Sequence, residues 1–143
     1  MSKTITIACD HAGYDLKNAL KKEILNMGFE VIDCGTNSSE SVDYPDFAKL
    51  AVDNILKKKS DIAVLICGSG IGMSITANRF NGIRAALCRK ADDAKLARQH
   101  NNANILALAG RQIDVDEAKN CFKIFINTSF DGGRHQKRVE KID

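Results

Sequence analysis

Two periods alternate along the chain. Short aliphatic runs that suit buried strands are each followed by stretches in which apolar residues recur at helical spacing. The runs are Thr4 to Cys9, Phe29 to Cys34, Ile62 to Cys67, Ile83 to Cys88 and Ile105 to Ala109. Ile62 to Cys67 is unbroken, as expected of a strand covered on both faces. Between the runs, Leu16, Leu20, Ile24 and Met27 predict a helix over Tyr14 to Met27, closed by Gly28. Phe47, Leu50, Ala51 and Ile55 mark the inward face of a second helix, and a third follows the glycine turn after Cys67 and ends near Asn81-Gly82. Asp92 to His100 turns Ala94, Leu96 and Ala97 inward, and Asp116 to Asn127 does the same with Ala118, Phe122 and Phe125. Strand and helix in alternation predict an α/β fold: three layers, α/β/α, Rossmann-like, with a five-stranded parallel sheet and helices on both faces.

In such a sheet the strand C-termini gather along one edge, where ligands bind. That edge receives Cys9-Asp10-His11, Cys34-Gly35, Cys67-Gly68-Ser69, Cys88-Arg89 and Gly110-Arg111. Gly35 to Tyr44, a polar loop long enough to be functional or mobile, lies beside it.

Composition narrows the picture. With 143 residues, 44% of them hydrophobic, and a single proline, the chain reads as one domain over residues 1–143. A net charge of +3, with bases interleaved among acids, gives no reason to expect nucleic acid. The N-terminal MSKTITIACDHAG lacks a leader's apolar core, and no run approaches the ~18 apolar residues of a membrane helix, so a cytoplasmic protein is expected. Five cysteines, an odd number without close CxxC pairing, are expected to be reduced thiols.

The chemistry concentrates in Cys67-Gly68-Ser69-Gly70-Ile71-Gly72. A dinucleotide fingerprint fails at Met73, the Gly-Lys-Ser/Thr end of a nucleotide loop is missing, and an esterase elbow would need glycines at Cys67 and Ile71. What remains is a cradle of backbone amides for an anion or oxyanion, set against the alternative of a tight turn with no ligand. A helix N-terminus favours the thiolate of a neighbouring cysteine, which makes Cys67 usable as a base or nucleophile. Cys9, Cys34 and Cys88 have no such cradle and belong to the packing. His11 and His100 lie in polar turns where an imidazole can titrate. Metal ligation by the Cys and His residues is a minor alternative, since no spacing among them matches a known zinc pattern. In the basic tail, Arg134 and Arg138 at i, i+4 stack if the segment is helical and can clamp a phosphate, set against the alternative of a solvated basic terminus.

Five blocks in order, Ala8 to Gly13, Val42 to Pro45, Cys67 to Gly72, Arg98 to Asn101 and Gly132 to Arg138, resemble the type B ribose-5-phosphate isomerases, grouped with the galactose-6-phosphate isomerase subunits. The resemblance implies interconversion of D-ribose 5-phosphate and D-ribulose 5-phosphate through a cis-enediolate, in the pentose phosphate pathway. Cys67 would be the base, with Met73 standing where another branch has a glutamate. His100, beside Asn101, would open the sugar ring. Ser69, here in place of a frequent threonine, and the amides from Gly68 through Gly70 and Ile71 to Gly72 would hold the enediolate oxygen. Asp10 and His11 would contact substrate, and Arg111, Arg134 and Arg138 would hold the phosphate. The resemblance further implies no metal or organic cofactor, and a homodimer or dimer of dimers whose sites lie between subunits, His100 facing the neighbour's cysteine. A six-carbon sugar phosphate (allose or galactose 6-phosphate) and a non-catalytic sugar-phosphate sensor are the alternatives.

Overall fold

The computed structural model describes residues 3–143. Met1 and Ser2, the start of the segment read for a leader, lie outside the described residues. Five strands, β1 (Thr4–Cys9), β2 (Glu30–Asp33), β3 (Ile62–Cys67), β4 (Ala85–Leu87) and β5 (Ile105–Ala109), form one parallel sheet in the order β2-β1-β3-β5-β4. A 3-10 turn (His11–Gly13) precedes helix α1 (Tyr14–Asn26), followed in the chain by α2 (Tyr44–Leu56), α3 (Ile71–Ala77), α4 (Ala91–Asn101), α5 (Val115–Asn127) and α6 (Arg134–Glu140).

The alternation of side chains along a strand sorts the core into two halves. Ile5, Ile7, Val64, Ile66, Leu106 and Leu108 meet Leu16, Leu20 and Ile24 of α1 and Phe122 and Phe125 of α5. Ala8, Ala63, Leu65, Cys67 and Ile105 meet Ala48, Ala51 and Val52 of α2 and Met73 and Ala77 of α3 on the other face. The predicted three-layer architecture is therefore observed, and β3 is buried along its whole length as its sequence requires.

The differences are local. Leu50 and Leu96, predicted to face inward, are 50% and 48% exposed. In α2 the small residues Ala48 and Ala51 make the close approach to the sheet and turn Leu50 outward, and in α4 Ala94 and Ala97 do the same to Leu96. The helix after the glycine turn stops at Ala77 instead of Asn81-Gly82. There the Asn78 side chain donates Nδ2–H to the Ala85 carbonyl and accepts the Ala85 N–H, pairing with edge strand β4 as a neighbouring strand would. Residues 79–82 turn to reach that strand. Strands β2 and β4 are shorter than the runs that predicted them, as suits the two edges of the sheet.

Candidate active site

Three strand ends are tied together where the chemistry gathers. The Asp10 N–H donates to the Ile66 carbonyl (3.1 Å), the Gly110 N–H to Cys67 (2.8 Å) and the Arg111 N–H to Gly68 (3.1 Å). These bonds fix the loops after β1, β3 and β5 around a cavity of about 550 Å³ lined by Asp10, Tyr44, Cys67, Gly68, Ser69, Ile71, Gly72 and Arg111, among others.

Each group has a local reason for its place. Asp10 Oδ1 accepts the N–H groups of Ala12 (2.9 Å) and Gly13 (3.2 Å), so the carboxylate caps the 3-10 turn that carries His11. Gly70, at φ 75°, is the left-handed residue before α3, and a Cβ there would stand 2.5 Å from Leu87 Cδ1. Gly72 touches the Tyr44 ring so closely that a Cβ would come within 2.5 Å of it, which is how the aromatic ring reaches the thiol's cavity. Ser69 Oγ accepts the Ile71 N–H (3.2 Å), leaving the hydroxyl proton to be donated elsewhere.

The remaining four thiols are held protonated. Burial pushes Cys9 up to about 11 and Cys88 and Cys121 up to about 12, and burial beside Asp33 also raises Cys34. Kept protonated, they are inert packing, as expected of Cys9, Cys34 and Cys88. All five cysteines are unbridged.

A second cavity, about 390 Å³, is lined by His100, Asn101, His135, Arg138, Val139 and Ile142. Helix α6 forms, so Arg134 and Arg138 fall at i, i+4 as the clamp requires. The His100 and His135 rings stack at 4.4 Å with planes 13° apart. Slight desolvation, with His100, Arg134 and Arg138 close by, holds the His135 imidazole below its ordinary value. The α4 end that carries His100 is pinned by Arg84 Nε, which donates to the carbonyls of Asn101 and Asn102, and by Arg98 Nε, which donates to Thr128. The Asp131 N–H, donated to the Gln99 carbonyl, ties the following loop to the same place. Among the described residues, His100, Asp131 and His135 form the one group whose side-chain atoms, within 4.8 Å of one another, could share a metal ion.

The structure thus brings Asp10, Cys67, Gly68, Ser69, Ile71, Gly72 and Arg111 into one cavity and His100, Asn101 and Arg138 into another, with no lining residue in common. His11 stands beside the first, its Nδ1 accepting the Val42 N–H (3.2 Å). Gly70 supports the turn from beneath, and Arg134 is exposed at the start of α6. Tyr44 and His135 lie in matched sequence blocks, yet no role was read for them. Their signals were a tyrosine just before the helix-starting Pro45 and a histidine between the two clamp arginines.

A parallel α/β domain with a thiol, a glycine turn and an arginine at one strand edge is the framework of an enzyme acting on an anionic metabolite. Comparison makes the class specific. The family model described as Ribose/Galactose Isomerase matches residues 5–142. The ribose-5-phosphate isomerase B of Escherichia coli K12 is 43% identical over 140 residues, covering 98% of this chain and 94% of that protein. A crystal structure of a Thermotoga maritima ribose 5-phosphate isomerase superposes with a TM-score of 0.97 at 55% identity, covering 98% of this chain and 97% of that one. The Mycoplasma genitalium ribose-5-phosphate isomerase B, solved with bound ribulose-5-phosphate, gives 0.94 at 41% identity over 97% of this chain and 93% of that one. The chain belongs to the ribose/galactose isomerase family, in its type B ribose-5-phosphate isomerase group, and is an isomerase. Among the described residues, no helix is long and apolar enough to cross a membrane.

Proposed function

We propose that the protein interconverts D-ribose 5-phosphate and D-ribulose 5-phosphate, as a cytoplasmic enzyme of the pentose phosphate pathway. The observation that carries the reading is the Cys67 thiol lining the same 550 Å³ cavity as Ser69, the glycine turn and Arg111. That is a base, an oxyanion cradle and an anion anchor in one place. His100 opens the sugar ring, with Asn101 holding a hydroxyl beside it. Cys67 as thiolate takes the C2 proton, leaving a cis-enediolate; the O2 hydroxyl proton passes to O1, and Cys67 returns its proton at C1 as the C2 carbonyl forms. The Ser69 hydroxyl and the amides of the Gly68 to Gly72 turn, Gly70 and Ile71 included, meet the developing oxyanion, preorganised donors of the kind that lower a barrier by several kcal/mol. Asp10 and His11 contact sugar hydroxyls, and Arg111, Arg134 and Arg138 hold the phosphate.

The division of these groups between two cavities supports a homodimer, or a dimer of dimers, in which the His100 cavity of one subunit meets the Cys67 cavity of the next. Ile71 and Ile75 of α3, 47% and 62% exposed at the mouth of the thiol cavity, offer apolar surface for such a partner to cover.

The test is ribulose 5-phosphate formation by the pure protein, with allose and galactose 6-phosphates as competing substrates and chelator present. Full activity on the pentose in chelator is expected. Loss in chelator would point to the His100, Asp131 and His135 group as a metal site, faster turnover of a hexose would change the substrate, and binding of the pentose phosphate without turnover would contradict the reading.

A further inference from the structure

Lys17 is a cation sealed inside the protein, and the reaction above makes no use of it. Only 1% of its side chain is exposed, and Nζ donates three hydrogen bonds, to Asp33 Oδ1 (2.9 Å), Asp33 Oδ2 (3.1 Å) and the Thr36 carbonyl (2.6 Å). Asp33 Oδ1 also accepts the Gly35 N–H (2.9 Å), and Oδ2 accepts from Lys21 (3.1 Å). Burial alone would raise the Asp33 carboxyl, yet the bonds from Lys17, Gly35 and Lys21 hold it below its ordinary value. The segment gripped in this way pairs with the strand end that leads to the site: the Cys9 N–H donates to Gly35 (2.7 Å) and the Thr36 N–H to Cys9 (2.8 Å).

From Thr36 the chain runs through the polar loop and comes back to the same strand end, where the Val42 N–H donates to His11 Nδ1. An imidazole nitrogen that accepts a hydrogen bond carries no proton. The neutral ring therefore holds its proton on Nε2, and its donor points away from the loop. Protonation at Nδ1 would break the Val42 bond. The loop is thus held at its start by Lys17 and near its end by His11, and the Val42 bond fixes which nitrogen donates.

We propose that Lys17 is a positioning residue for the isomerisation: it anchors the root of the 36–43 loop so that the Val42 amide locks His11 as a neutral Nε2–H donor to the sugar. The kinetic consequence rests on the isomerase reading, whereas the tautomer can be observed without substrate, so the two fail separately.

The experiment reads the histidine ring nitrogens by proton–nitrogen correlation at about pH 8, where an ordinary imidazole is neutral. It compares wild type, Lys17→Met/Asp33→Asn and Val42→Pro. The double variant removes the buried cation and its carboxylate partner together, and the proline deletes one N–H in the loop. In wild type, His11 is expected to show the Nε2–H pattern alone. Both variants should show mixed tautomers and a KM for ribose 5-phosphate raised about tenfold, with kcat changed far less, as for a donor that grips ground and transition states alike. Exchange of the Val42 amide should also quicken about tenfold in the double variant. An Nδ1–H pattern in wild type would overturn the proposal. So would a folded variant, either one, that keeps both the tautomer and the wild-type KM.

Discussion

At the scale of single residues, the site depends on making similar groups different. Five cysteines share one chain, and burial pushes Cys9, Cys88 and Cys121 far above neutral pH, out of reach as thiolates. Cys67, 4% exposed, lies in the wall of the cavity beside the glycine turn. Its distinction was legible in the sequence because three alternating glycines, Gly68, Gly70 and Gly72, follow it, whereas Cys34 is followed by the lone Gly35. The arginines separate in the same way. Arg98 is consumed in holding the Thr128 carbonyl and the end of α4, while Arg138 faces a cavity. Arg138→Ala should raise the KM for ribose 5-phosphate about tenfold or more and lower kcat by less, because phosphate is gripped equally before and during the proton transfer. Steady-state kinetics with ribose 5-phosphate checks this, and a loss confined to kcat would contradict it.

At the scale of elements, the junction of β3 and α3 is the most constrained. Gly70 combines a positive φ with contacts to Leu87 and to the Leu108 carbonyl, both close to where a side chain would stand. Gly70→Ala is expected to cost about 2–5 kcal/mol, the sum of a left-handed residue and an overpacked site, measured by denaturant unfolding. A loss below about 1 kcal/mol would show that the turn relaxes. Strand β3 and this turn were legible because a fully buried strand is a continuous aliphatic run and a left-handed cap asks for glycine. Helix faces were less so. Leu50 and Leu96 are as apolar as any core residue, and only the close approach of neighbouring alanines to the sheet sets them outside. The end of α3 was hidden for another reason, since Asn78 stops the helix by bonding to a strand seven residues on. Tyr44 was hidden as well, because its position over Gly72 depends on how α2 packs against α3.

At the scale of the whole molecule, one chain presents two cavities that divide the residues of the proposed site between them. The sequence placed the reactive groups on one sheet edge, and the parallel topology accounts for those at the ends of β1, β3 and β5. His100 and Arg138 instead come from the end of α4 and from α6, which no strand-edge rule locates. If one subunit supplies the thiol and its neighbour the imidazole, two inactive variants can complement each other. Equal amounts of Cys67→Ala and His100→Asn, unfolded and refolded together, should recover about a quarter of wild-type activity. Half of the dimers would be mixed, each with one intact site. No recovery beyond the two parents would place both groups in a site within one chain.

The measurement that tests the account most directly is ribulose 5-phosphate formation by Cys67→Ala, made on protein shown to melt like wild type. A lost general base should lower kcat by about 10²–10⁴-fold, with the KM for ribose 5-phosphate little changed. Turnover within tenfold of wild type would contradict the assignment of the proton transfer to Cys67.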